Sequence, residues 1–287
     1  MIQSPFLARQ ERFDVVGSTN DVVRGWLADG VPEVCLAVAN EQSAGRGREG
    51  RTWTAPAGHA LLLSLGFRPT WLVPERVWRL AAVTSLAMAD AAEDVAALAP
   101  GTIRLKWPND LVVESSGEWL AGASPSTSER SVAAHHLEVR KLAGVLGETD
   151  GLGTDDPRAV VGIGINADWA PDEFPAELAD DMTSLRAIAD ERRIDTAALL
   201  DAFSGTLEGM IEQLRHGAFD EAGWAGRQLT NGHLVRLIGH DGREEVVRAL
   251  RVDAVTGALI VVDPAGTGPE RGVVSGEIRH LRLDGQV

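Results

Sequence analysis

The sequence predicts an α+β protein in which a mixed sheet packs against helices, followed by a small SH3-like β-barrel. Up to about residue 227, short apolar runs that are typical of buried strands alternate with longer segments that have helical periodicity. Beyond about residue 228 the helical periodicity ends, and five short β-rich runs follow, separated by turn residues. We therefore expect a larger unit at residues 1–227 and an SH3-like β unit at residues 228–287.

Four segments of the larger unit predict helices. Ser18 is a favourable capping residue, and apolar residues recur at helical spacing in the segment 19–29 that follows it. An Ala-rich amphipathic segment from Pro74 to about residue 98 predicts a long helix. Two further helices are expected at 182–190 and 196–216.

Short apolar runs predict the strands, and we expect the helices to cover one face of the sheet they form. In the larger unit the runs are 34–39, 60–67, 102–105, 110–113, 139–147 and 159–165. In the C-terminal unit they are 234–238, 245–250, 258–262, 271–274 and 277–281. Residues 40–58 are rich in Gly and Arg and predict a loop, and the Ser- and Gly-rich stretch 114–132 predicts a mobile insertion between two strands.

Composition excludes several classes of protein. With 44% hydrophobic and 24% charged residues the chain is neither wholly disordered nor fibrous. Its net charge of −15 opposes general binding to nucleic acid. The single cysteine, Cys35, excludes an intrachain disulfide and a Cys-rich metal site, and it lies in an apolar run that places it in the core. The N-terminal segment, residues 1–13, has no apolar core of signal-peptide length, and no apolar stretch is long enough to span a membrane, so we expect a cytoplasmic protein.

Lysine is almost absent. The 27 basic residues are 25 arginines and two lysines, Lys106 and Lys141. An ammonium is a compact point charge that a guanidinium does not replace. Because both lysines lie inside dense motifs, we favour a functional requirement over chance survival.

The first motif is a loop rich in glycine and arginine, residues 41–53. Its glycines free the backbone, and Arg46, Arg48 and Arg51 supply three fixed positive charges. Such a loop after a buried strand suits a polyphosphate anion. It has neither the Gly-Lys-Ser/Thr ending of a Walker loop nor a helix after its glycines, and the alternative is a flexible basic loop.

Four shorter motifs are weak when taken singly. Residues 106–110, Lys-Trp-Pro-Asn-Asp, offer the Asn109 amide to a base, although such a sequence is usually a turn. Lys141 opens a predicted strand, where a lone lysine usually protects an edge. Gly162 and Gly164 leave one strand face bare, either for a ligand or for a helix. Residues 17–20, Gly-Ser-Thr-Asn, place hydroxyls at a helix start, where they cap the helix or bind a polar ligand.

In this order, over about residues 13–283, the five motifs closely resemble those of biotin–protein ligases. The resemblance implies a catalytic domain of the class II synthetase-like, biotin–lipoate ligase type. It implies an enzyme that makes biotinyl-5′-AMP from biotin and ATP with Mg²⁺ and releases pyrophosphate. The enzyme then transfers biotin to one lysine of a biotin carboxyl carrier protein domain, which is the expected partner.

The resemblance also implies roles for individual residues. Lys141, between the biotin carboxylate and the α-phosphate, and Arg48, on the phosphates, would be catalytic. The residues expected to bind biotin are Ser18, Thr19, Gln42, Gly45, Arg46, Lys141, Gly162 and Gly164. Those expected to bind ATP or the adenylate are Arg48, Arg51, Trp53, Asn109 and Asn166. No residues are assigned as metal ligands.

Two departures from the family and two alternatives remain. The stretch 114–132 is longer than the link that the family usually has before the Lys141 motif. Ser18 lies too near Met1 for an N-terminal helix-turn-helix, so we expect no DNA binding, and a monomer or homodimer equally fits the sequence. A lipoate–protein ligase or octanoyltransferase has a similar fold, but Gln42 and the three arginines argue against it. A binding protein that senses biotin or a nucleotide without turnover would not explain Lys141. We expect the C-terminal unit to act on ATP or in the transfer step.

Overall fold

A computed structural model describes residues 6–115, 138–239 and 241–280. The first 166 residues supply a seven-stranded sheet with the strand order β1-β2-β3-β7-β6-β5-β4. Its strands are β1 (Arg9–Val16), β2 (Cys35–Gln42), β3 (Ala60–Phe67), β4 (Ile103–Lys106), β5 (Asp110–Ser115), β6 (Glu138–Asp150) and β7 (Arg158–Asn166). The helices are α1 (Thr19–Ala28), α2 (Trp78–Val95), α3 (Leu185–Ile188), α4 (Thr196–Arg215) and α5 (Glu221–Gly226). None of the helices in these ranges is long and apolar enough to cross a membrane.

The predicted fold class is confirmed: β1 runs parallel to β2, and every other neighbouring pair in this sheet is antiparallel. The apolar runs located six of the seven strands and missed β1. This edge strand reads Arg-Gln-Glu-Arg-Phe-Asp-Val-Val, and most of its side chains are exposed. A strand that is paired on one side and largely solvated needs no apolar run. For this reason the search for apolar runs in the sequence did not predict β1.

Helices cover both faces of the sheet, and the expectation of one covered face was wrong. Leu36 and Val38 on β2 belong to the large core cluster that includes α2 and α4. Cys35 and Ala37, on the opposite face of the same strand, pack in a second cluster with α1. Successive strand residues point to opposite faces, so the continuous apolar run of β2 reflects burial on two sides. Burial raises the pKa of the Cys35 thiol to about 11, which agrees with its expected place in the core.

Several element boundaries differ from those predicted. β2 continues to Gln42, so the Gly- and Arg-rich loop starts later than residue 40. α3 is a single turn of four residues, and α5 was not predicted. Ser18 occupies the N-cap position of α1, but its side chain makes no capping hydrogen bond. The predicted insertion at 114–132 lies outside the described residues from residue 116 onward.

The C-terminal strands form a separate five-stranded antiparallel sheet with the order β11-β10-β9-β8-β12. They are β8 (Leu234–Ile238), β9 (Glu244–Val252), β10 (Leu259–Val262), β11 (Arg271–Val273) and β12 (Glu277–His280), close to the five predicted runs. This sheet packs against the larger unit through hydrogen bonds that Trp107 Nε1 donates to Gly257 O (3.2 Å) and Arg79 Nη2 donates to Ala254 O (2.9 Å).

Candidate active site

The predicted motifs, although far apart in the sequence, line one cavity. Residues of α1, the loop after β2, the β4–β5 turn, β6, β7 and the segment that starts β12 contribute to its wall. The predicted site residues in the wall are Ser18, Thr19, Gln42, Arg46, Arg48, Arg51, Trp53, Asn109, Lys141, Gly162 and Gly164. The fold therefore brings together most of the set that the resemblance implied.

One end of the cavity is a chain of uncharged polar groups. Gln42 Oε1 accepts hydrogen bonds from Thr19 N (2.7 Å) and Thr19 Oγ1 (3.0 Å). Ser64 Oγ, fully buried on β3, lies 2.7 Å from Thr19 Oγ1. Because the Gln42 carbonyl oxygen is already used by Thr19, the free hydrogen-bonding group of this amide is its NH₂.

The two glycines of β7 do leave space above the strand, but side chains of the protein occupy it. A Cβ atom on Gly162 would lie 2.2 Å from Asn20 Oδ1, and one on Gly164 would lie 2.7 Å from the Trp53 indole. Missing side chains thus allow Asn20 and Trp53 to lie directly on the sheet and form the cavity wall.

Lys141 lies inside a strand, not at its start as expected. It is in β6 at a bulge, where Leu111 and Val112 of β5 pair with Ala143 and Lys141. Its ammonium lies 2.8 Å from Asp110 Oδ1 and 5.5 Å from the centre of the Trp53 ring. A bulge changes the direction of nearby side chains. This bulge lies next to Lys141, in the strand segment from which the ammonium reaches the cavity.

The β4–β5 turn adds a second ammonium and a carboxylate to the same wall. Lys106 and Asp110 are paired residues at the ends of β4 and β5, and both line the cavity. Burial lowers the pKa of Lys106, while the nearby Asp110 carboxylate acts in the opposite direction. Asn109 Nδ2 donates to Val145 O at 2.7 Å, so the turn is fastened to β6. Both lysines of the protein therefore face one cavity.

The three arginines of the loop each contact a different partner. Arg46 pairs with Asp21 (2.8 Å) and with Glu148 (3.3 Å). Arg48 Nη1 donates to Gly276 O at 3.2 Å. Arg51 forms an ion pair with Glu277, and this hydrogen bond raises the pKa of the guanidinium. Two of the arginines expected to hold phosphates thus contact the C-terminal unit.

Two predicted site residues are not part of the cavity wall. A Cβ on Gly45 would lie 2.4 Å from Trp53 O, so glycine permits the loop to fold back on itself. Asn166 is fully buried at the end of β7 and donates from Nδ2 to Thr183 O at 2.9 Å. Its Oδ1 has no hydrogen-bond partner among the described residues.

The sequence assigned no role to several residues that build the site. These are Asn20, Ser64, Lys106, Asp110, Glu148, Gly276 and Glu277. Asn20, Lys106 and Asp110 belong to the quoted motifs, and a serine inside the apolar run of β3 was a usable signal for Ser64. Nothing in the sequence pointed to Gly276 or Glu277, since only tertiary packing brings the C-terminal unit to the cavity. Within the described ranges, no group of three or more His, Cys, Asp or Glu side chains forms a metal site.

Comparisons with known proteins agree with this geometry. Residues 13–166 match the model of the biotin/lipoate A/B protein ligase family. The chain is 31% identical over 278 residues to the biotin–[acetyl-CoA-carboxylase] ligase of Mycobacterium tuberculosis, covering 94% of this chain and 90% of that protein. It is 29% identical to the bifunctional ligase/repressor BirA of Bacillus subtilis, over 65% of this chain and only 49% of that protein.

Solved structures show the same fold. A biotin protein ligase from Aquifex aeolicus, in complex with biotin and ATP, superposes with a TM-score of 0.70 at 24% identity, covering 96% of this chain and 99% of that one. A biotin protein ligase from Leishmania major, in complex with biotinyl-5-AMP, gives a TM-score of 0.55 at 25% identity, covering 93% and 99%. The fold is that of the solved ligases. On the sequence match, the chain belongs to the biotin/lipoate A/B protein ligase family.

Proposed function

We propose that the cavity binds biotin and ATP and that the residues described above perform the two steps of biotin transfer. The chain is a biotin–protein ligase: it activates biotin with ATP to biotinyl-5′-AMP, releases pyrophosphate and transfers biotin to a lysine. The observation that carries the residue assignment is that uncharged amide and hydroxyl groups, two ammonium groups and three loop arginines line one cavity.

Biotin is assigned to the polar end of the cavity. The ureido ring of biotin carries one carbonyl oxygen and two N–H groups, so it needs both donors and acceptors. Thr19 supplies a hydroxyl, and Gln42 supplies an amide whose oxygen faces Thr19 and whose NH₂ group is turned away from it. Ser18 lies beside them in the wall. Gly45 and Arg46 shape the loop on this side. Gly162 and Gly164 act indirectly, by admitting Asn20 and Trp53 to the wall that the biotin tail meets.

Lys141 is assigned to the point where the two substrates react. In the first step a carboxylate oxygen of biotin attacks the α-phosphorus, and the bond from that phosphorus to the oxygen bridging to the β-phosphate breaks. Two anions must approach each other, and charge develops on the phosphate oxygens. A fixed cation at this point lowers the barrier because it is in place before the charge appears. Asp110, 2.8 Å from the ammonium, orients it.

ATP is assigned to the part of the cavity bordered by the loop and the β4–β5 turn. Arg48 and Arg51 would hold phosphates, and Trp53 and Asn109 would contact the adenine. Asn166, which the resemblance also assigned to ATP, is fully buried outside the cavity wall, so we give it no direct contact with the nucleotide. Mg²⁺ would enter with the nucleotide, because it is usually held by phosphates, waters and one or two carboxylates, and Asp110 is one of the carboxylates in this wall.

The second step needs an acceptor lysine on a biotin carboxyl carrier protein domain. Its neutral amine attacks the acyl carbon of the adenylate, AMP leaves, and the amine loses a proton. The enzyme contributes mainly orientation and exclusion of water from the mixed anhydride. We place the boundary between the catalytic and C-terminal units at residues 227/228, and contacts of Arg48 and Arg51 with residues 276 and 277 support a role for the C-terminal unit near the nucleotide.

Pyrophosphate release tests the proposal. We expect release with ATP and biotin but not with ATP and lipoate, and transfer of labelled biotin to a carrier domain. Lys141→Met should keep the fold and slow release about a hundredfold or more, since it removes one preorganised charge at the reacting phosphate. Arg251→Met, at an exposed ion pair with Glu270, is the matched control and should be as active as the wild type. Normal release by Lys141→Met would contradict the role of this lysine.

A further inference from the structure

We propose that Glu148 on β6 is a positioning residue for biotin binding, and this inference rests on the proposed function. Glu148 is not part of the wall of the candidate active site. It acts through Asn20 and Arg46, which do line the wall. The Glu148 carboxylate sets the orientation of the Asn20 amide and holds Arg46 in place.

Both carboxylate oxygens of Glu148 are engaged. Oε2 accepts from Asn20 Nδ2 at 2.6 Å and from Arg46 Nη2 at 3.3 Å. Oε1 pairs with Arg24 Nη2 at 2.7 Å. A carboxylate accepts hydrogen bonds and donates none. The NH₂ group of Asn20 must therefore face Glu148, and its carbonyl oxygen must point the other way.

The orientation of the Asn20 amide determines the hydrogen bonds of the neighbouring hydroxyl groups at the polar end of the cavity. Asn20 Oδ1 lies 2.5 Å from Ser64 Oγ, and Ser64 lies 2.7 Å from Thr19 Oγ1. Thr19 in turn donates to Gln42 Oε1. The chain is directed at both ends, by the acceptor Glu148 at one end and by the donor Thr19 N–H at the other. Asn20 Oδ1 and Gln42 Oε1 both accept, so Ser64 donates its single hydroxyl proton to Asn20 and the Thr19 hydroxyl proton also stays within the chain. The Gln42 NH₂ group is then the donor that the chain presents to a ligand.

Arg46 is the second group held by Glu148. Its guanidinium bridges Asp21 and Glu148, and Arg24 bridges the same two carboxylates from the other side. These four side chains connect α1, the Gly- and Arg-rich loop and β6. Partly exposed ion pairs of this kind add little to the stability of a protein. The arrangement therefore matters for the alignment of the loop and of Asn20, and loss of the Glu148 charge should leave the fold intact.

Glu148→Gln is the direct test, because glutamine has the same size but its amide can turn either way. We expect the dissociation constant of biotin, measured without ATP, to rise about tenfold, as for loss of one hydrogen bond to a charged group. The KM of ATP should change by less than about twofold. Glu148→Asp, which keeps an acceptor-only carboxylate on a shorter stem, should bind biotin with intermediate affinity. Glu212→Gln, at an ion pair with Arg215 on α4, is the matched control and should bind biotin as the wild type does.

Two results would overturn the proposal. One is wild-type affinity for biotin in Glu148→Gln. The other is a parallel loss of biotin and ATP affinity in both Glu148 variants that follows a lowered melting temperature, since that pattern indicates a structural role only. Failure of the proposed function is separate, because the wild type itself would then bind no biotin and release no pyrophosphate.

Discussion

Lys106 shows how one partly buried charge links the site to stability. Its ammonium lies in the cavity wall at the end of β4, and burial lowers its pKa below the ordinary 10.5, against the smaller opposing effect of Asp110. A folded-state pKa below the unfolded value means that the charged form is disfavoured by folding. The cost is fully present below the folded pKa and is relieved as the pH rises toward the unfolded value.

We therefore predict that Lys106→Met changes the pH dependence of stability. Between the folded and the unfolded pKa the unfolded wild-type chain binds more protons, so wild-type stability rises with pH there. The free energy of unfolding of the wild type, minus that of Lys106→Met, should increase as the pH rises toward the ordinary lysine pKa of about 10.4. Urea unfolding at several pH values measures this difference. Arg251→Met is the control, since a guanidinium does not titrate in this range, and a difference that is flat or falls with pH would contradict the prediction.

At the scale of elements, Arg227 joins α2, β4 and the end of α5. Its guanidinium donates to both oxygens of Glu93 (2.8 and 2.9 Å) and to Ile103 O (2.9 Å), and it also pairs with Asp90. The Glu93 side chain is only 5% exposed. Leu105 N donates to Arg227 O at 2.8 Å, so the chain leading into the C-terminal sheet is attached to β4 at the same place.

Arg227→Met should destabilise the protein by about 3 kcal/mol or more, because removing one partner leaves a buried carboxylate without its counter-charge. Arg251→Met, which breaks an exposed pair, should cost less than about 1 kcal/mol. Urea unfolding of the two variants under the same conditions measures both values. Equal losses in the two variants would mean that the Arg227 cluster contributes no more than a surface pair.

At the scale of the whole molecule, the C-terminal sheet completes the cavity of the larger unit. Gly276 and Glu277 lie at the start of β12, and they contact Arg48 and Arg51 of the loop. The arginines assigned to the phosphates are thus paired with the C-terminal unit in this structure. A bound triphosphate would compete with the Glu277 carboxylate for the same guanidinium.

Glu277→Gln should lower the KM of ATP about two- to fivefold and leave the biotin dissociation constant unchanged. The pair with Arg51 is exposed on the arginine side, so its loss costs at most about 1 kcal/mol. Removing a negative charge beside a highly charged anion should outweigh that loss. Steady-state kinetics at fixed biotin measures the effect, and Glu270→Gln, at the exposed pair with Arg251, is the control. A higher KM for ATP in Glu277→Gln would show that the ion pair is needed to order the loop.

The sequence by itself determined the fold class, most of the strands and the family resemblance, because apolar periodicity, turn residues and the five ordered motifs are local properties of the chain. The tertiary structure alone decided what local patterns do not encode. It placed a helix on each face of the sheet, revealed the solvated edge strand β1 and put Lys141 inside β6 at a bulge. It also joined Glu148 to Asn20, 128 residues away, and brought Glu277 to Arg51, 226 residues away. Such contacts depend on how strands are ordered in a sheet and how two sheets pack, and neither can be read from any single stretch of sequence.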